Sequence, residues 1–381
     1  MSQTANPVPA AAQVRPVLVY DGDVGDLFGV YLLNLIFSIL TFGIFRFWAI
    51  TRLRRYLWSH MRFENTRFTY TGKGSEIFLG FLLAMVILIV FAVGIGFSYA
   101  MLRESHPVLA MLPVVFAYLA LFALFGAAHF SAQRYRLSRT EWRGIRGGMT
   151  GSALAYGVKW LLFFFLSIIT LYQAVPWMQV GLVRRRINAS RFGSAQFRCD
   201  SRARHLYLTW LATLVGTVVL MIVIFAVGIA SEWASLSRVF ADPDSPSAGI
   251  AIRRSIPIII IGILVFLIFS GLLATWYYTR MLRLLLDNTV AIVPSPSGQD
   301  TLRFATTVTA GNLLWLVAGN VLIAIFTFGF GVPIVLHRTA KYIARTTLMT
   351  GTFDADHLVQ STLARPTFGE GFLQALDPGI V

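Results

Sequence analysis

Four stretches, residues 77–101, 108–132, 206–230 and 256–278, carry scarcely a charge over the roughly 20 residues that a helix needs to cross a bilayer. Lipid offers no partner to a backbone N–H or C=O, so such segments must satisfy their own hydrogen bonds as helices. The rest of the 381 residues agrees: 56% are hydrophobic and 13% are charged, about half the charge density of a soluble domain. A water-soluble globule is thereby excluded. The four stretches form two hairpins. The connector of the first, near Arg103, Glu104 and His106, is short and nearly neutral; that of the second sets Glu232, Asp242 and Asp244 against Arg238, Arg253 and Arg254.

Charge is concentrated elsewhere. The 32 Lys and Arg outnumber the 17 Asp and Glu, a formal net charge of +15. Arg46, Arg52, Arg54, Arg55, Arg62, Arg67 and Lys73 follow the first apolar segment, and Arg134 to Arg146 follow the first hairpin. Further clusters run from Arg184 to Arg204, from Arg280 to Arg303 and from Arg338 to Arg345. Short basic loops beside apolar spans resist translocation, so all of these connectors are expected on the cytoplasmic side, facing anionic headgroups rather than nucleic acid.

Three further apolar segments, 27–50, 153–183 and 311–336, complicate the count. If the middle one crossed once, the Arg clusters on either side of it would lie on opposite faces. The three also align without gaps. At an offset of 286, Asn34, Thr41, Phe42, Gly43, Arg52 and Tyr56 fall on Asn320, Thr327, Phe328, Gly329, Arg338 and Tyr342; at 129, Thr170, Trp177, Arg184 and Phe197 fall on Thr41, Trp48, Arg55 and Phe68. This is internal duplication. Three full crossings per unit would invert consecutive copies and split the matching Arg clusters. A segment that enters and returns keeps every copy in one orientation, and helix-interrupting residues sit where the turn must be: Thr41 with Gly43, Thr170 with Pro176, Thr327 with Gly329, Gly331 and Pro333. A single kinked crossing is the alternative.

Between the spans, the run from Arg62 to Gly72 alternates aromatic and polar residues and reads as a short strand or hairpin at the membrane surface. Residues 52–61 read as a helix along the headgroups, anchored by Tyr56 and Trp58. The architecture expected is an all-α polytopic membrane protein: repeated units of a broken apolar helix plus a transmembrane hairpin, joined by short β-hairpin-like cytoplasmic linkers. The units run over 17–146, 147–302 and, truncated, 303–360, with disordered tails at 1–16 and 361–381; the first sixteen residues lack the pattern of a cleavable signal.

The order of Tyr20-Asp21-Gly22, Asn34, the Thr41-Phe42-Gly43-Ile44 turn, Trp48, the basic stretch 52–56 and Asn65-Thr66-Arg67-Phe68 resembles the YjgN-like family of bacterial inner-membrane proteins, as does Glu141-Trp142-Arg143-Gly144-Ile145-Arg146. The likeness covers most of residues 17–360. It implies a multi-pass inner-membrane protein of a domain-of-unknown-function class, and no mechanism. The middle copy departs from it, with Phe163 and Tyr172 in place of the Asn and the Gly.

Catalytic patterns are missing. The six histidines form no His-Glu-x-x-His motif and no pair at helical ligand spacing, there is no Gly-x-Ser-x-Gly elbow, and Gly72-Lys73-Gly74-Ser75 lacks the upstream glycine of a phosphate loop. The lone Cys199 can form no intrachain disulfide. We therefore expect no enzyme, no cofactor and no metal. Polar groups at bilayer depth carry the functional default: Asn34, Thr41, Gly43, Asn320, Thr327 and Gly329 are the candidates for lining a pore or substrate path, the alternative being that each Asn bridges helices and each Thr bonds its own backbone. Arg52, Arg54, Arg55, Arg184, Arg185, Arg186, Arg338 and Lys341 are the candidate lipid-headgroup contacts, making membrane lipids the expected partner. Two functions fit: transport or permeation, or a non-transporting envelope scaffold or anionic-lipid-binding protein. Either way Ser194 is expected inside and Ser247 outside.

Overall fold

The computed structural model describes residues 14–241, 246–296 and 298–366. Strands and helix pairs alternate along the chain. β1 (Arg15–Pro16) and β2 (Val19–Tyr20) lead into α1 (Val24–Leu40) and α2 (Arg46–Ser59); β3 (Met61–Phe63) and β4 (Thr66–Tyr70) into α3 (Gly74–Leu102) and α4 (Pro107–Ser138). β5 (Thr140–Trp142) and β6 (Ile145–Met149) precede α5 (Ala153–Ile169) and α6 (Val175–Ala189); β7 (Ser190–Phe192) and β8 (Ala195–Cys199) precede α7 (Arg204–Ala241) and α8 (Pro246–Asp287). β9 (Thr289–Ser295), β10 (Gly298–Thr306), α9 (Ala310–Phe326), α10 (Val332–Thr346) and β11 (Thr347–Thr350) complete the order. Among the described residues four helical segments are long and apolar enough to cross a membrane, Gly74–Leu102, Pro107–Ser138, Arg204–Ser231 and Ser255–Asp287, and they coincide with the four stretches read from the sequence.

The expectation of an all-α fold is overturned. Among the described residues every strand belongs to one antiparallel sheet of eleven, in the order β1-β11-β10-β9-β8-β7-β6-β5-β4-β3-β2. The sheet begins and ends on β1 and β2, which are consecutive in the chain and separated only by Val17 and Leu18, so it rolls into a nearly closed barrel. What reads as a set of isolated linkers is a continuous ladder because each hairpin also pairs with the next one: Phe68 faces Trp142 between β4 and β5, and Phe197 faces Ala291 between β8 and β9. The two-residue turns Glu64-Asn65 and Arg143-Gly144 take positive φ at both positions, the backbone twist that joins tightly paired strands. Of the tails, Arg15 and Pro16 form a strand and residues 361–366 lie along the barrel; residues 1–13 and 367–381 fall outside the described residues.

The chain forms two compact units. One holds all eleven strands with α1 to α6, α10 and α9 from Leu316 onward; the other comprises Ala203–Leu284 and Val308–Trp315, dominated by α7 and α8. Five helix pairs are inserted between strands, and each insertion is closed in the same way. The backbone N–H just after the outgoing strand donates to the carbonyl just before the returning one: Asp21 to His60 (3.1 Å), Thr71 to Arg139 (2.8 Å), Thr150 to Ala189 (2.9 Å), Asp200 to Asn288 (3.1 Å) and Thr307 to Thr346 (3.0 Å). The repeat made visible by structure is thus one strand, one helix pair and one strand, present five times.

The short helices α1, α5 and α9 are followed by partners that return to the adjacent strand. α1 is preceded by Asp23, whose carboxylate accepts from Gly25 N–H (2.6 Å) and Asp26 N–H (3.3 Å), a side-chain cap at the positive end of the helix. It stops at Thr41 because Phe42 and Gly43 adopt φ of 50° and 86°; Phe328 and Gly329 repeat this at 50° and 87°. In the middle copy Leu171 and Tyr172 hold the same left-handed pair at 48° and 65°, a strained choice for residues bearing a Cβ.

Candidate functional site

The residues singled out as path-lining turn out to build the hairpins. Asn34 is 2% exposed, and its amide donates to the Ala49 carbonyl (3.3 Å), joining α1 to α2. Asn320 donates to Thr339 Oγ1 (3.2 Å), joining α9 to α10. Thr41 Oγ1 donates to the Phe37 carbonyl (2.7 Å) and accepts from Phe45 N–H (2.9 Å), so one hydroxyl staples the helix end to its turn. Thr170 does the same between Leu166 (2.7 Å) and Ala174 (3.1 Å), and Thr327 between Ile323 (2.6 Å) and Gly331 (2.7 Å). Gly43 and Gly329 supply the left-handed backbone of the same turns.

The candidate headgroup cations divide. Arg54 is wholly buried between α2 and β4, its Nη1 donating to Tyr70 Oη (3.2 Å) with the guanidinium 5.7 Å from the Tyr70 ring. Arg55 donates to the Gly72 carbonyl (2.8 Å) and Arg184 to that of Ser201 (3.1 Å). Arg134 reaches the Gly151 carbonyl and Arg283 that of Val308 in the same manner. In these four pairs a cation six residues before the returning strand satisfies a carbonyl two residues after an outgoing one. The fifth equivalent is Lys341, which is exposed and makes no hydrogen bond or ion pair among the described residues. Arg52 lies over the Phe45 ring at 5.0 Å, Arg186 Nη1 meets His129 Nε2 at 2.8 Å, and Arg338 packs on Gly319. Arg185 is exposed and, like Lys341, makes no hydrogen bond or ion pair among the described residues. Tyr56 and Trp58 also bond within the protein: Tyr56 Oη donates to the Asp23 carbonyl (2.7 Å) and Trp58 Nε1 to Thr140 Oγ1 (2.9 Å).

Sequence reasoning gave no sign of the barrel's interior. Trp142, Ala195, Ala291, Val293, Leu302 and Leu358 are buried there together, ringed by Phe63, Phe68, Phe192, Phe197, Phe304 and Phe353. They line a half-open cavity of about 180 Å³ whose lining side chains are all apolar. Trp142 Nε1 donates to the carbonyls of Phe63 (2.9 Å) and Thr66 (3.2 Å), so the indole is fully engaged. After β11 the chain crosses the barrel as a strap. Phe353 and Leu358 point inward, while polar bonds tie the strap to two hairpin turns: Gln360 Nε2 to the Gly144 carbonyl (2.8 Å), Val359 N–H to Ser194 Oγ (3.1 Å) and Arg146 to the Leu363 carbonyl (2.6 Å). The strap's own turn is held by Asp354, which accepts from Asp356 N–H (3.0 Å) and pairs with His357 (2.8 Å); those contacts keep its carboxyl below the usual range. Where the ring closes, Tyr20 lies edge-on to His337 at 5.4 Å. Burial, reinforced by Tyr56, Asp21 and Asp23, pushes its hydroxyl up to about 12.

Over residues 15–375 the chain matches the family described as bacterial protein of unknown function (DUF898). It is 21% identical over 379 residues to the inner membrane protein YjgN of Salmonella typhimurium, covering 89% of each chain. Against the inner membrane protein YjgN of Escherichia coli O157:H7 it is 28% identical over 148 residues, 38% of this chain and 33% of that one; against that of Escherichia coli K12, 27% over 153 residues, 40% and 34%. No solved structure matches.

Proposed function

The chain belongs to the DUF898 family and is a multi-pass protein of the bacterial inner membrane, and from that footing we propose that it binds anionic lipid at the junction of helices and barrel, without catalysis and without conducting a substrate. One contrast carries this reading: Asn34, Thr41, Asn320 and Thr327 each bond within their own hairpin, whereas Lys341, at the position where four other units use an arginine to cap a carbonyl, stays exposed. An ammonium left free beside a membrane surface attracts phosphate headgroups, by about 1 kcal/mol per cation. Arg185, next to the engaged Arg184, adds a second such charge.

A transport reading draws on the same hairpins, which resemble the broken helices of carriers. It has less support, because the Asn amide N–H groups and the Thr hydroxyls are spent inside their own hairpins; the buried Oδ1 atoms of Asn34 and Asn320, which have no partner among the described residues, are the capacity such a path could draw on. Native mass spectrometry of the full chain released from phosphatidylglycerol–phosphatidylethanolamine nanodiscs tests the proposal. Retained phosphatidylglycerol should fall several-fold in Arg185→Gln/Lys341→Gln. Unchanged retention overturns lipid binding at these cations, and solute flux in proteoliposomes that vanishes on Asn34→Leu/Asn320→Leu establishes transport instead.

A further inference from the structure

The barrel interior points to a second site, independent of the headgroup cations: we infer that it binds a small uncharged aromatic molecule, about the size of one substituted ring. The cavity of about 180 Å³ is far larger than a water, yet a buried water needs two to four polar partners and the lining side chains offer none. The strand backbones are committed to the ladder and the Trp142 indole to two carbonyls. The lining therefore gives a water nothing to bind, and any charged or hydroxyl-rich ligand would lose its hydration without replacement. Dry apolar cavities of comparable volume, about 150 Å³, accept benzene. The walls favour a ring: aromatic side chains from several strands present edges and faces, the geometry in which rings attract one another. Two alanines keep the space open. Ala195 on β8 and Ala291 on β9 are 5% and 3% exposed, and a larger side chain at either position would fill it.

Access runs under the strap. Phe353 and Leu358 reach into the cavity, and the strap is fastened at its edge by hydrogen bonds from Val359 and Gln360, by Arg146 to the Ser361 and Leu363 carbonyls and by the Arg365–Glu141 pair, each a modest contribution beside water. Lifting it exposes the lumen without breaking the barrel ladder.

Titration of the full chain in nanodiscs with fluorobenzene, followed by fluorine NMR, tests the site. The expected result is a saturable one-site component above the linear partition into empty nanodiscs, weakened at least tenfold by Ala291→Leu and by the gentler filling Ala195→Val, with faster exchange in Phe353→Ala. Partition indistinguishable from empty nanodiscs overturns the proposal and leaves a packing void. Saturable binding that survives both filling variants overturns it as well, since the ligand would then sit elsewhere.

Discussion

Arg54 and Arg185 look alike in the sequence, two cations in basic stretches beside apolar spans, yet one is wholly buried and the other exposed. Arg54→Ala removes a buried donor from Tyr70 and leaves space between α2 and β4; a loss of about 3 kcal/mol is expected. Arg185→Ala should stay within about 0.5 kcal/mol of the parent, as for an exposed side chain with no partner. Unfolding in one detergent, both variants side by side, separates the two. The threonine staples make an equally sharp case. Thr41→Val, Thr170→Val and Thr327→Val keep the shape and lose the hydroxyl, so each should cost about 1 kcal/mol. The three lie in separate hairpins and should add to within about 0.5 kcal/mol. A path-lining role would instead leave stability intact and alter flux.

Helix elements were legible because length and apolarity are local properties. The windows 77–101, 108–132, 206–230 and 256–278 fall inside α3, α4, α7 and α8, and the interruptions at Thr41, Thr170 and Thr327 mark the ends of α1, α5 and α9. The strands were not legible as a sheet. Met61–Phe63 and Thr140–Trp142 span three residues each, too few to show alternation, and β4 and β5 pair across the whole α3–α4 insertion. Only the Arg62–Gly72 run carried a strand signal, through its aromatic alternation and the Asn65 turn. The lumen was illegible for the same reason, since its aromatics come from strands far apart in the chain. Helix packing hinges on glycine at one crossing: a Cβ on Gly157 in α5 would collide with the Ala123 carbonyl of α4, and one on Gly126 would sit 3.1 Å from Gly157 Cα. Small residues at such crossings let membrane helices approach. Gly157→Ala should therefore destabilise by about 2 kcal/mol, against the slight gain that alanine brings to an open helix position; thermal unfolding measures the sign.

For the molecule as a whole, the barrel decides topology. Each helix pair leaves one strand and returns to the neighbouring strand, so every insertion begins and ends at the same sheet, and the basic clusters are divided between its strands and the helices that return to them. Duplicated segments can keep one orientation because the chain comes back to the barrel after every second helix. On the charge rule the sheet is expected on the cytoplasmic face. The measurement that bears most directly on this is thiol labelling in a Cys199→Ser background, with single cysteines at Asn65, Ser194 and Gln299, which lie on three different hairpins of the barrel. A membrane-impermeant maleimide should leave all three untouched in intact spheroplasts and label all three in inside-out vesicles. Labelling of one or two of the three from the periplasmic side would split the sheet between compartments and contradict the barrel, and labelling of all three from that side would contradict its cytoplasmic placement.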